Sequence, residues 1–123
     1  MAYAQRHVVS ITVNSSGDGT DYTPVVTGLI STIRYVTTDY DNGVDFTITA
    51  EATGETILAV TNITASTTWA PRQATCTTAG VASLYAGSGT AVNDKIAVAN
   101  DRVKIVVAQG GNATSGAFHI VLE

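Results

Sequence analysis

An all-β, single-domain antiparallel β-sandwich, jelly-roll-like or otherwise Greek key, is the fold this sequence predicts, with a small β-barrel as the alternative. Three observations predict it. Thr and Val recur along the chain while Leu, Lys and Glu, the staples of surface helices, are scarce. Apolar and polar residues alternate over short runs, and turn-forming residues interrupt them about every 8–12 positions. At 123 residues and 12.7 kDa the chain suits one domain, spanning residues 1–123, and shows no repeat or linker.

The first run, "HVVSITV", puts Val9, Ile11 and Val13 on one face and Val8, Ser10 and Thr12 on the other. "NSSGDGTDYTP" then supplies turn chemistry. From Val25 to Thr38 the chain is too long for one unbroken strand, so Gly28 is expected to mark a bend or bulge, with Leu29, Ile33 and Tyr35 sharing a face. Asn42-Gly43 reads as a tight turn of the hairpin kind. Beyond it Phe46, Ile48 and Ala50 point inward, and Asp45, Thr47, Thr49 and Glu51 outward. Thr53-Gly54 turns the chain into "ETILAVTNI", for a meander of at least three strands.

"TASTTWAPRQATCTTAG" is less regular; Pro71 places it at an edge or in a loop, and Trp69 anchors it by burying its ring. "GVASLYAGSG" reads as an irregular excursion. At the end come "DKIAVA", a reversal at Asn100-Asp101, "RVKIVVA" and "AFHIVLE". Val103, Ile105 and Val107 face one way, as do Phe118, Ile120 and Leu122, and these last two strands are expected to pair.

Charge excludes several functions. A net charge of −4 and six scattered Lys and Arg leave no basic stripe for phosphates, so no nucleic acid is expected as a partner. No window approaches the roughly 18 apolar residues of a membrane span, and "MAYAQRHVV" lacks the pattern of a signal peptide, so no membrane is expected and a cytoplasmic origin is. Cys76 stands alone and is expected as a buried thiol.

In "TTDYDNGVDFTITAE", Asp39, Asp41 and Asp45 are the candidate calcium ligands, with Asp18 and Asp21 as possible additions. An EF-hand loop would need oxygen donors, then glycine, then glutamate, where this chain has Gly43, Val44 and Ala50. Turn formation by the aspartates is the preferred reading, and no cofactor is expected. No nucleophile elbow of the G-x-S-x-G form occurs, and the glycine-rich "GSG" and "QGGNATSG" lack the Lys-Ser/Thr of a P-loop. No catalytic residue is assigned. Several strands, such as "HVV", "TILAV", "KIVVA" and "IVLE", are apolar on both faces, which points to association. His119 and Val121, opposite Phe118 and Ile120, are taken as interface residues.

Over "STIRYVTTDYDNGVDFTITAEATGETIL", "APR" and "NDRVKIVVAQGGNATSGAFHI" the chain resembles a group of small proteins encoded among the virion structural genes of tailed bacteriophages and prophages. The resemblance implies a capsid decoration or cement protein that binds and stabilises the head lattice, or alternatively a minor head, head-to-tail joining or minor tail protein. It implies the major capsid protein or other virion proteins as partners, a homo-oligomer with a trimer favoured, and assembly into the virion in the host cytoplasm. Residues 1–6 would serve as an N-terminal arm, with Tyr3, Arg6 and His7 as contacts. From another class, a carbohydrate- or receptor-binding sandwich would use Trp69, Tyr40 and Tyr85. A small hydrolase would need His7 or His119 beside a nucleophile and an acid.

Overall fold

Alternation and turn residues produce ten strands in the computed structural model, which describes residues 4–123. They are β1 (Gln5–Thr12), β2 (Gly19–Tyr22), β3 (Val26–Thr37), β4 (Val44–Ala50), β5 (Thr56–Ile63), β6 (Thr67–Trp69), β7 (Arg72–Ala74), β8 (Asn93–Asp101), β9 (Val103–Ala108) and β10 (Ser115–Leu122). No helix forms among the described residues. The larger sheet runs β1-β10-β3-β8-β7, with β6 pairing the far half of β3; the smaller runs β2-β9-β4-β5.

This wiring is that of a jelly roll, which makes the fold an antiparallel β-sandwich. The pairs β1/β10, β2/β9, β3/β8 and β4/β5 are successive stretches of one long antiparallel ribbon. Its tip is the Thr53-Gly54 turn, where Gly54 takes φ 74°. Wrapping the ribbon brings β10 beside β3 and β9 beside β4. β6, β7 and the excursion between β7 and β8 are an insertion into that plan.

Three expected pairings are therefore corrected. β9 and β10 do not pair: β9 belongs to the smaller sheet and β10 to the larger, and they face each other across the core. β8 and β9 likewise lie in different sheets, joined at a corner where Asn100 adopts φ 50°. β3 and β4 are also split, so the Asn42-Gly43 segment is a crossover rather than a hairpin turn, and the meander reduces to β4-β5. Of that dipeptide only Gly43, at φ 93°, is left-handed. The physical reason is common to all three. Alternation fixes which side chains enter the core, and two strands with inward apolar faces satisfy it equally well side by side or across the roughly 10 Å between sheets.

The expected inward residues are otherwise buried: Val9, Ile11, Val13, Phe46, Ile48, Ala50, Val103, Ile105, Val107, Phe118, Ile120 and Leu122. β3 departs in one detail. Val121 faces Thr32 while Leu122 faces Ile30, so Ser31 is an extra residue and the bulge puts Ile30 inside and Leu29 out. The irregularity foreseen at Gly28 lies on the β8 side, between Val26 and Gly28. Tyr35, Phe46 and Phe118 form the centre of the core, with ring centroids 4.6 Å apart for Tyr35–Phe46 and 4.8 Å for Phe46–Phe118. Trp69 is half-buried and sets its ring edge against Phe46, which ties the insertion to the core. Cys76 is exposed, not buried, because the excursion that carries it is held by two isolated bridges and not by a sheet.

β1 begins at Gln5, so Arg6 and His7 belong to the sheet and not to an arm; of the expected arm, residues 1–3, Tyr3 included, lie outside the described residues. His7 faces inward with Val9 and Ile11, and its Nε2 is buried without a hydrogen-bond partner among the described residues. Leaving such a group unpaired costs about 1–3 kcal/mol. His7→Leu is accordingly expected to raise the melting temperature by about 4 °C, read by calorimetry. A fall instead would mean that the nitrogen has a partner the replacement removes.

Candidate functional site

Once one side of each strand is committed to the core, the other side of the larger sheet is one of the two broad faces the protein presents to solvent. Register arranges it as a grid. Val8, His119, Arg34 and Thr68 form one row across β1, β10, β3 and β6; Arg6, Val121 and Thr32 form the next; Ser10, Ala117 and Val36 a third. Val8 is 53% exposed and Val36 38%. Leu29 lies further along the same face of β3, opposite Ala97 of β8, and is also exposed.

Between the rows is a depression of about 380 Å³ bordered by Arg6, Arg34, Thr68 and His119, with Val36 and Val121 in its lining. The Arg34 guanidinium donates from Nη1 to Thr68 Oγ1 at 3.1 Å. Neither Arg6 nor Arg34 forms an ion pair among the described residues, whereas Lys95 pairs with Glu123 and Arg102 with Glu51. Three of the expected interface residues, Arg6, His119 and Val121, thus come together. His7 does not join them, since it points to the core.

The aspartates are separated by their structural duties. Asp39 accepts the Ser115 N–H at 2.6 Å, pinning the β3–β4 crossover to the start of β10. Asp45 accepts the Asn62 N–H at 2.8 Å, which holds Asn62 at φ 58°. Asp41 alone borders a polar depression of about 580 Å³ at the loop end of the sandwich, with Ser15, Ser16, Asn42, Asn62, Gln109 and Asn112. Among the described residues no three His, Cys, Asp or Glu side chains converge on a metal position. The "DYDNGVD" stretch therefore works as a crossover lock.

Tyr40 completes that lock. Its ring is buried, stacks on Tyr35 with centroids 6.0 Å apart, and its hydroxyl donates to the Ile11 carbonyl at 2.6 Å. Burial, then the neighbouring Tyr35 and Asp39, push the Tyr40 hydroxyl well above its ordinary pKa; burial also raises Tyr35. The aromatic set expected for sugar binding is dispersed: Tyr40 is inside, Trp69 meets Phe46, and Tyr85 is 75% exposed on the excursion. His7 and His119 project from opposite sides of the sheet, and the cross-strand neighbours of His119 are Val8 and Arg34.

Val8, Arg34, Val36 and Thr68 were not singled out as site residues by the sequence. Their signal was phase: Arg34 sits between the inward Ile33 and Tyr35, so it had to face outward, but only the register reveals that it meets His119. Comparison of the chain with protein-family models, with curated proteins and with solved structures returned no match.

Proposed function

We propose that this protein is a structural component of a tailed-phage virion, a capsid decoration protein that binds the head lattice through the outer face of its larger sheet. One observation carries this reading: a sheet whose inner side is already filled by the core presents Val8, Leu29, Val36 and Val121 on its other side. An exposed apolar patch with an arginine rim has the composition of an interface centre. The jelly roll recurs in capsid proteins but equally in lectins and cupins, so the fold alone assigns no task. In this reading the chain assembles as a homo-oligomer, with a trimer as one closed arrangement, and its partner is the major capsid protein.

The test is co-sedimentation of purified protein with heads that lack it. Wild type is expected to pellet with the heads, and Val8→Asp/Val36→Asp to lose at least about tenfold in affinity, since a charge desolvated at an apolar contact costs several times 1.4 kcal/mol. Both positions are exposed, so the variant should keep its melting temperature. Wild type that stays in the supernatant, or a double variant that binds equally well, overturns the proposal.

A further inference from the structure

We infer that the occupant of this face is a carboxylate-bearing protein segment, held by Arg6 and Arg34 on either side of His119. The inference rests on the interface reading above and adds the chemistry of the partner.

Charge distribution is the first argument. The chain has ten Asp and Glu against six Lys and Arg. Yet the outward positions of β1, β10 and β3 around the depression, from Arg6 and Val8 through Ala117, His119 and Val121 to Thr32, Arg34 and Val36, include no carboxylate. The acids cluster elsewhere: Asp18, Asp39 and Asp41 in the loops at one end, Glu51, Glu55 and Asp101 around the turns at the other. An acidic protein thus keeps the area around this depression free of acid; the nearest carboxylate in line along β10, Glu123, lies beyond Leu122 beside Leu29 and is paired with Lys95.

Satisfaction of the guanidinium groups is the second. Arg102 and Lys95 are paired with carboxylates, and Arg72 donates to the carbonyls of Ser31 and Pro71 at 3.1 and 2.8 Å. Among the described residues Arg34 has only the neutral Thr68 hydroxyl, which occupies one of its five N–H groups. The remaining fork is free for a bidentate carboxylate, the acceptor whose geometry it matches. A floor of Val36 and Val121 beside it suits the apolar neighbours of that acid rather than a polyanion. Nucleic acid is further disfavoured by the chain's net charge of −4.

The experiment is a two-dimensional NMR titration with a blocked Glu-Leu-Glu-Leu peptide, alongside Lys-Leu-Lys-Leu, a single-stranded oligonucleotide and protein dilution alone. The acidic peptide is expected to shift Arg6, Arg34, His119 and Val121, to weaken markedly between low salt and about 0.5 M salt, and to lose about tenfold or more in affinity with Arg6→Gln/Arg34→Gln, whose melting temperature serves as the folding control. No shift at these residues, an equal response to the lysine peptide, tighter binding of the oligonucleotide, or shifts reproduced by concentration alone overturns the inference. Co-sedimentation of the same double variant separates the two claims. If wild type binds heads and the arginine variant binds them as tightly, the carboxylate clamp fails while the interface reading stands. If wild type does not bind heads, the interface reading fails and the peptide titration still judges the clamp.

Discussion

Phe46→Ala is expected to remove about 3–5 kcal/mol from the free energy of unfolding. Phe46 is fully buried on β4 of the smaller sheet, and its ring touches the two central aromatics of the larger one, Tyr35 at 4.6 Å and Phe118 at 4.8 Å between centroids. Trp69 and Tyr40 approach the same ring at 6.4 Å each. Deletion leaves a cavity between rigid strands that cannot collapse without breaking register on both sheets, so the transfer loss and the cavity cost add. Against a typical domain stability of about 5–15 kcal/mol the change is large. Urea unfolding should show a lower midpoint with an unchanged slope, and Phe46→Leu should recover much of the loss. A cost below about 1 kcal/mol would mean that the sheets do not close on this ring.

The second large effect is expected at Gly116. A Cβ there would lie 2.4 Å from Tyr40 Cε2 and 2.8 Å from Cδ2, and the ring has nowhere to retreat while it stacks on Tyr35 and donates to Ile11. Gly116→Ala must therefore displace Tyr40, at about 1–3 kcal/mol or more. The variant also has a pH signature. Burial raises the Tyr40 hydroxyl, so the fold favours its neutral form. That stability is fully present below the ordinary tyrosine value of about 10 and is lost as pH rises through the raised one. Wild type should thus weaken steeply above about pH 10, with Tyr35 contributing in the same sense. Gly116→Ala, with the ring moved toward water, should be weaker at pH 7 and show a shallower alkaline decline. Equal slopes in the two proteins would show that the ring has not moved.

Much of the interior was legible in the sequence because strand alternation maps directly onto burial. Val9, Ile11 and Val13 entered the core as their spacing required, and so did Phe46, Ile48 and Ala50. Pairing was not legible. The β9 and β10 runs carry equally regular apolar faces, and nothing local to "QGGNATSG" distinguishes a hairpin from a crossover; the left-handed Gln109 and Ala113, at φ 59° and 55°, appear only in the fold. The bulge at Ser31 depends on where Leu122 lands against β3, a contact 92 positions away in sequence, so Leu29 and Ile30 exchanged roles. Cys76 misled for another reason: small apolar character favours burial only where a sheet exists to bury it.

The proposed interaction face divides the same way. His119 and Val121 were readable from their phase against Phe118 and Ile120. Arg34 and Val8 joined them only through the pairing of β3 and β1 with β10, which no short-range pattern encodes. The aspartate cluster was the opposite case, conspicuous in sequence and divided in space, because Asp39 and Asp45 each hold a different backbone amide.

Electron cryomicroscopy of the intact particle tests the central claim most directly. The outer face of the β1-β10-β3 sheet should be seen pressed against a neighbouring virion protein, with Val8, Val36 and His119 covered and an acidic side chain within reach of Arg34. A particle in which that face is bare to solvent while the chain is held by another surface, or a particle without the chain, would contradict it.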